Sequence, residues 1–264
     1  MKIKKLTQNQ KTAIMSLVYP LFSLAIILAL WAFTAWRTDS ELIIPSVGRT
    51  FEEVWKLLSQ QGGQPWIDIA CTLLRAFRGF ALSFAIALGL SLAAAFVKPL
   101  AKLLSPVISV MRSTPTMSVI LLCLLWMHDN TQSAPVFVTV LIIFPLLYAS
   151  FYSAITGVDR KLVEMAKVYK VPFLTRLTKL YIPSVMPTVF SSVRSTLSLT
   201  VKLTIAAEVL AQTKNSMGVN MQLANLYLDT PILIAWTLIA IILGAILELI
   251  VLGIEKLCMR WKNA

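Results

Sequence analysis

The stretch KLVEMAKVYKVPFLTRLTKLYIPSVMP, residues 161–187, separates two long apolar runs and carries five basic residues but a single acidic one, Glu164. In its first half, apolar residues recur at the spacing of a helix, at Leu162, Met165, Ala166 and Tyr169. Pro172 is predicted to end this helix, because proline disfavours the α conformation in the residue before it. We therefore predict a short helix, a turn and a second helical segment between two membrane spans.

The apolar runs on either side of this stretch identify the chain as a membrane protein. Hydrophobic residues make up 58% of its 264 residues, against about 45–50% in soluble domains. A helix needs about 20 mostly apolar residues to cross a bilayer, and the runs are continuous rather than alternating, which favours helices over strands. We predict an all-α, polytopic fold with six transmembrane helices, at residues 16–36, 73–97, 107–127, 135–155, 185–211 and 232–254.

The segments between and beyond these spans define the organisation of the chain. Residues 16–36 are interpreted as a retained first span, because their apolar core is longer than the about 7–15 residues of a signal peptide. Residues 37–65 contain an amphipathic helical pattern typical of a surface helix, with Ser46 and Thr50 as candidate N-caps. The remaining divisions are a tail at 1–15, a five-helix core at 66–256 that includes a loop at 157–183, and a tail at 257–264.

The distribution of lysine and arginine predicts the orientation of these segments. If the N-terminus lies inside, the inner segments carry fifteen basic residues, whereas the outer loops carry four, Arg37, Arg49, Lys56 and Lys214. Because basic residues concentrate in cytoplasmic loops, both termini and the loop at 157–183 are predicted to be cytoplasmic, and residues 37–65 are predicted to lie outside. The same bias accounts for the net charge of +12, so nucleic-acid binding is not favoured.

Motifs for catalysis and for energy supply are missing from the sequence. It contains no G-x-x-x-x-G-K-[ST] phosphate loop, a single histidine, His128, and three cysteines without metal-ligand spacing, Cys71, Cys123 and Cys258. We therefore expect no enzymatic activity, no metal, and energy supplied by a partner protein. Two alternatives to a partner-driven transporter are considered. One is a self-sufficient secondary transporter or channel, and the other is a membrane-bound enzyme or scaffold. The alternative explanation for the loop at 157–183 is an amphipathic connector whose basic residues contact anionic lipid headgroups.

Polar residues inside the predicted spans are candidates for a translocation path. The fifth span has polar residues at steps of four, three and four, namely Ser191, Ser195, Ser198 and Lys202. This spacing places them on one face of a helix. The face either lines a path, where Lys202 would favour an anionic or electron-rich solute, or helps the helices to pack, with Lys202 paired locally.

Other charged residues of the spans have structural explanations as well. In the third span Arg112 and Thr116 share a face beside Pro115, which is compatible with a gate in the path or with a fixed bend. Glu208 and Arg194 are assigned to structural ion pairing, but not with each other, because they lie about 21 Å apart along the axis of one helix. Arg194 is expected to snorkel towards the membrane surface, and Glu208 is expected to pair across helices.

The sequence EMAKVYKVPFLTRLTKLYIP, residues 164–183, resembles the signature loop of binding-protein-dependent ABC importer permeases. That signature is Glu-Ala-Ala, three residues, Gly, nine residues and Ile-x-Leu-Pro. Glu164, Met165 and Ala166 occupy its first positions, and Pro183 ends it. Lys170 stands where the family has Gly, a residue that permits the turn between two helical arms.

Further segments are similar to permeases of the nitrate, sulfonate and taurine subfamily. They are IIPSVGRTFEEVWKL, TLLRAFRGFALSFAIALGLSL, MRSTPTMSVILLCLLWM and AAEVLAQTKNSMGV, and with the loop they extend the resemblance over roughly residues 40–260. The resemblance implies the type I ABC importer permease (MetI-like) fold in the bacterial inner membrane.

The same resemblance implies partners and site residues. Two permease subunits, usually identical, would form the pathway above two cytoplasmic ATPases that bind ATP and magnesium. A periplasmic or lipid-anchored binding protein would deliver the solute. The ATPase-coupling residues would be Glu164, Met165, Ala166, Tyr169, Lys170 and Pro183. Nitrate, sulfonates, taurine, bicarbonate and pyrimidine or vitamin precursors all fit the subfamily, so we expect a small anionic or polar solute without choosing among them.

Overall fold

Helices account for almost all of the chain in a computed structural model, which describes residues 8–38, 40–60, 62–127 and 132–259, side chains at 8–18, 20 and 21 excepted. No strand occurs in these ranges. The helices are α1 (Gln8–Thr38), α2 (Val47–Ser59), α3 (Gln64–Phe96), α4 (Lys98–Ser113), α5 (Thr116–Trp126), α6 (Ala134–Thr156), α7 (Arg160–Val168), α8 (Phe173–Arg176), α9 (Ile182–Ala211), α10 (Met217–Leu226) and α11 (Thr230–Cys258), with a π-helical turn at Leu177–Tyr181 before α9. The all-α prediction is confirmed.

The predicted spans agree with the structure to different degrees. Within the described residues, α3, α6 and α11 are long and apolar enough to cross a membrane, and they match the second, fourth and sixth predictions. Helix α9 has 30 residues, about 45 Å, but it carries three charged side chains, Arg194, Lys202 and Glu208. In α1 an apolar segment is identified only at Phe22–Thr38. The count of six spans is therefore matched only in part.

The third predicted span, residues 107–127, is not one straight helix, and its bend lies at Pro115, where the sequence already allowed a fixed bend. The structure has two helices instead, α4 and α5, with an angle of 99° between them. Pro115 lacks an N–H and forces Thr114 out of the α region, and Thr114 is extended, with φ −69° and ψ 131°. The chain bends here, and α4 begins at Lys98, well before the predicted start.

The core of the bundle lies between α3, α6 and α9. Phe80, Leu147 and Phe151 are buried in its largest apolar cluster, and the Phe84 and Phe151 rings meet edge to face with centroids 5.4 Å apart. Helices α3 and α6 approach closely because α3 has glycine at position 79. A Cβ built on Gly79 would lie 2.7 Å from Cγ2 of Thr139.

Replacing Gly79 by alanine should therefore destabilise the bundle. The added methyl group has no room unless α3 and α6 move apart, so we expect the free energy of unfolding to fall by about 1–3 kcal/mol. The thermal unfolding midpoint of the purified chain in detergent measures this loss. Gly89→Ala is the matched control in the same helix, because a Cβ there meets no atom within 4 Å; an equal loss in both variants would contradict the close approach.

The two ends of the bundle are formed by different structural elements. One end, called the α7 end below, has the junction of α3 with α4, helix α7 and the end of α11. The other, called the α10 end, has α2, α10 and the start of α11. At the α10 end, Ser46 is the N-cap of α2 and accepts a hydrogen bond from the Arg49 N–H. The apolar side of α2 packs on α11 and its neighbours through Val54, Leu57 and Leu58.

Candidate functional site

Helix α7 stands out because none of its residues is buried. The Asp159 side chain accepts a hydrogen bond from the Lys161 N–H at 2.9 Å and so caps the helix. One side of α7 contacts the bundle through Val163, which packs against the apolar cluster of Ile155, Val158 and Val185. The opposite side, called the outer face, presents apolar groups to solvent, at Leu162, Met165, Val168 and Tyr169. Val168 and Tyr169 are 78% and 77% exposed, so no described residue of this chain covers the outer face.

The turn after α7 has the left-handed geometry that glycine usually supplies. Lys170 has φ +51°, its N–H bonds to the Lys167 carbonyl at 2.9 Å, and the Val171 N–H bonds to the Ala166 carbonyl at 3.0 Å. These two bonds form a Schellman motif. Lysine at the position of the family's glycine therefore keeps the turn, at the cost of a conformation that side chains disfavour.

Glycine at position 170 should stabilise this turn. Relief of the left-handed strain is expected to be worth on the order of 1 kcal/mol, so the Lys170 and Val171 amides should exchange with deuterium about fivefold more slowly in Lys170→Gly. Lys167→Gly is the control, because glycine inside α7 should speed exchange. Unchanged or faster exchange in Lys170→Gly would contradict the strain.

The chain that returns from α7 is fastened to the end of α3. The Phe96 ring meets Phe173 and Tyr181 edge to face, with centroid distances of 5.3 Å and 5.6 Å. Pro183 follows the π-helical turn and has no N–H to donate to the Lys179 carbonyl, which agrees with the widened helix there. The rings hold the segment that follows α7 against α3, and the π-helical turn continues that segment into α9.

A buried ion pair lies at the α10 end. Nη1 of Arg75 on α3 is 2.9 Å from Oε1 of Glu208 on α9, and Glu208 is fully buried. The Thr72 hydroxyl donates to the same carboxylate at 2.9 Å and the Gly218 N–H at 3.3 Å. Glu208 thus has three donors from two other parts of the chain, and this network holds α3, α9 and the start of α10 together.

The Arg75 guanidinium has further acceptors. It donates to the carbonyls of Lys214 and Asn215, each at 3.0 Å, and to Oε1 of Gln132 at 2.7 Å. Arg75 lies at the start of the second predicted span, residues 73–97, but the sequence did not identify it as the partner of Glu208. Arg194 is half-buried and forms no ion pair within the part of the chain that the structure describes.

The predicted polar face of α9 is open. Ser191, Ser195 and Lys202 are exposed, while Ser198 is half-buried beside Gly244 of α11, where a Cβ would lie 3.2 Å from its Oγ. Lys202 has no ion pair among the described residues, so local pairing does not explain it. Helix α9 therefore carries a polar stripe that the described part of the chain leaves largely uncovered.

Arg112 lies on a different surface from this stripe. It lines a cavity of 480 Å³ between α4 and α6 together with Lys102, Tyr148 and Tyr152. Thr116 is exposed at the start of α5, beyond the bend. The structure of one chain thus does not bring the predicted path residues of α4 and α9 into one cavity.

Metal-ligating residues are not clustered where the structure describes them. No group of three or more His, Cys, Asp or Glu side chains there is placed to hold an ion. His128 lies outside the described residues.

Comparisons with known proteins agree with this geometry. The sequence profile of the family "Binding-protein-dependent transport system inner membrane component" matches residues 85–258. The chain is similar to the aliphatic sulfonates transport permease protein SsuC of Bacillus subtilis (strain 168), with 24% identity over 91% of this chain and 86% of that protein. It is also similar to the protein of the same name from Escherichia coli (strain K12), with 27% identity over 94% and 93%.

Among solved structures, the inward-facing MetNI methionine ABC transporter is similar in fold. A chain of that structure superposes with a TM-score of 0.63 and 14% sequence identity, covering 75% of this chain and 98% of that one. At this identity the likeness concerns the fold alone, and it supports the predicted MetI-like permease fold.

Proposed function

Since the chain belongs to the family of binding-protein-dependent transport system inner membrane components, we propose that it is the translocation subunit of an ABC importer, driven through α7 by a separate ATPase. It is a multi-pass protein of the inner membrane that works with an ATPase and a substrate-binding protein. The observation that carries the proposal is the uncovered apolar outer face of α7. An exposed apolar patch at a helix otherwise surrounded by charges is typical of a docking surface.

The proposed coupling runs from the ATPase through α7 into the bundle. Met165 and Tyr169 would insert into a cleft of the ATPase, with Glu164 beside them. Ala166 would lie close to the axis of α7. Lys170 would hold the turn, and Pro183 would start the returning span. Because Val163 of α7 packs on a cluster that includes Val185 of α9, and the aromatic rings join the segment after α7 to α3, a movement of the ATPase would move α3 and α9 as well. ATP and magnesium would be bound by the ATPase alone.

The open stripe on α9 supports a second permease subunit. Polar and charged side chains inside a membrane face a bundle interior or a wet cavity rather than lipid, and the described residues of this chain offer no such cover for Ser191, Ser195 or Lys202. We propose that an identical chain completes the path and that Ser198 lies beside it. In that dimer Arg112 and Thr116 would approach the path from α4 and α5.

Charge supports the substrate class and the orientation. Lys202 and Arg112 would favour an anionic solute, and the two bacterial relatives are named for aliphatic sulfonates, which are anions. The α7 end and both termini are proposed to face the cytoplasm, because basic residues concentrate in the segments of that end. A self-sufficient secondary transporter or channel remains the competing hypothesis.

Photo-crosslinking from Tyr169 tests the docking of α7. A photoreactive phenylalanine analogue at Tyr169 should cross-link to the ATPase when the importer is assembled in membranes. Tyr227 is the matched control, since it is 80% exposed but lies at the α10 end, and it should give no ATPase adduct. No adduct from Tyr169, or equal adducts from both positions, would contradict the proposal.

A further inference from the structure

A cavity of 610 Å³ lies at the α7 end, between the α3–α4 junction, the end of α6, helix α7 and helix α8. Its volume is within the about 300–1,000 Å³ of ligand pockets. Four basic side chains line it, Lys98, Arg160, Lys167 and Arg176, against one acidic side chain, Glu164. It is a separate feature from the outer face of α7, since none of the outer-face residues lines it.

The positive charge of this cavity is not neutralised by the described part of the chain. None of its four basic residues takes part in an ion pair within the described ranges. Nε of Arg176 is moreover a buried side-chain nitrogen with no hydrogen-bond partner, and no other such atom is found in the part of the chain that is described. A buried donor without an acceptor is costly, so the guanidinium is held where an added acceptor would stabilise it.

The walls of the cavity are amphipathic. Phe96, Phe173 and Tyr181 form an apolar side, and the Arg176 guanidinium carbon lies 5.9 Å from the centre of the Phe173 ring. This contact restricts the arginine side chain. Neighbouring atoms cover Nε itself, so a small movement of the side chain is needed for it to donate to a ligand.

We propose that this cavity binds a phosphate group, carried by an acidic phospholipid or by a soluble phosphate. Arginine presents its donors in a planar fork that matches phosphate oxygens, and basic pockets between spanning helices suit acidic headgroups. The aromatic side would take the apolar part of the ligand. A bound phosphate would bridge α7 to Lys98 at the start of α4, and this site does not depend on the transport role.

Binding to the full chain in nanodiscs of phosphatidylcholine tests the proposal. One arm adds increasing fractions of phosphatidylglycerol and measures the acidic lipid retained per chain by native mass spectrometry. The other arm adds inorganic phosphate and measures binding by calorimetry. We compare Lys98→Gln/Arg176→Gln with Lys161→Gln/Lys179→Gln, which removes the same charge from exposed residues that do not line the cavity.

Saturable binding should occur in at least one arm, and the responding arm identifies the source of the phosphate. The cavity variant should weaken it about tenfold, while the control variant should stay close to the original affinity. Lys98→Gln alone, a change at an exposed residue, should also weaken binding if the double variant does not fold. Absence of saturable binding in both arms, or equal loss in cavity and control variants, would overturn the proposal.

Discussion

Glu208→Gln is expected to lower the free energy of unfolding by about 3–5 kcal/mol, the usual loss when one partner of a buried ion pair is removed. The amide keeps the size of the side chain and its bond to Thr72, but Arg75 loses its only counter-charge in the network while remaining about nine-tenths buried. Unfolding should begin at the α10 end, because the same carboxylate also accepts a hydrogen bond from the Gly218 N–H. Chemical denaturation of the purified chain in detergent measures the loss.

The pairing itself is tested by removing both charges. Arg75→Gln with Glu208→Gln leaves no uncompensated charge, so it should recover part of the stability lost in Glu208→Gln. Glu248→Gln on α11 is the control, because Glu248 is half-buried and forms no ion pair among the described residues. If the double variant loses as much as the sum of its single changes, the ion pair does not account for the stability.

Met165→Asp is expected to abolish coupled ATP hydrolysis in the assembled importer. Met165 is 54% exposed in the isolated chain, so its own fold should tolerate the change. In the proposed complex the carboxylate would be buried against the ATPase without a partner, which costs several kcal/mol and so about a hundredfold or more in affinity. Co-purification of the ATPase and solute-stimulated hydrolysis measure the effect.

The matched control introduces an aspartate at the α10 end instead of the α7 end. Leu226→Asp on α10 also puts a carboxylate on an exposed apolar residue, which is 66% exposed, and it should leave ATPase binding unchanged. The account fails on this point if Met165→Asp assembles normally or if Leu226→Asp releases the ATPase to the same degree.

Local signals predicted much of this fold. The apolar runs gave α3, α6 and α11, because a membrane span is defined by composition over one continuous segment. Helix α7 followed from the spacing of Leu162, Met165 and Tyr169, and its end from Pro172. These features depend only on neighbours in sequence.

Features that depend on tertiary structure were not predictable. Hydropathy cannot distinguish a straight span from two helices at 99°, so the sequence indicated a bend at Pro115 but not the size of its angle. Arg75 lies 133 positions from Glu208, and no local pattern connects them. The cavity beside α7 needs four separate elements to bring Lys98 and Arg176 into the lining of one cavity.

In the candidate site, too, local features were predictable from the sequence and features that depend on packing were not. The one-sided spacing of Ser191, Ser195 and Lys202 was visible in the sequence, since it is a property of one helix. Whether that side is covered depends on packing, and the structure shows it open. Arg112 was assigned to the path because it lies beside Pro115 in a predicted span, and within one chain it lines another surface.

Uptake of an anionic solute into proteoliposomes tests the central claim most directly. The chain would be reconstituted alone, and then with its ATPase and its binding protein, each with and without ATP. We predict uptake only when both partners and ATP are present, and none when Met165→Asp replaces the original chain. Solute entry driven by the chain alone without ATP would contradict the account.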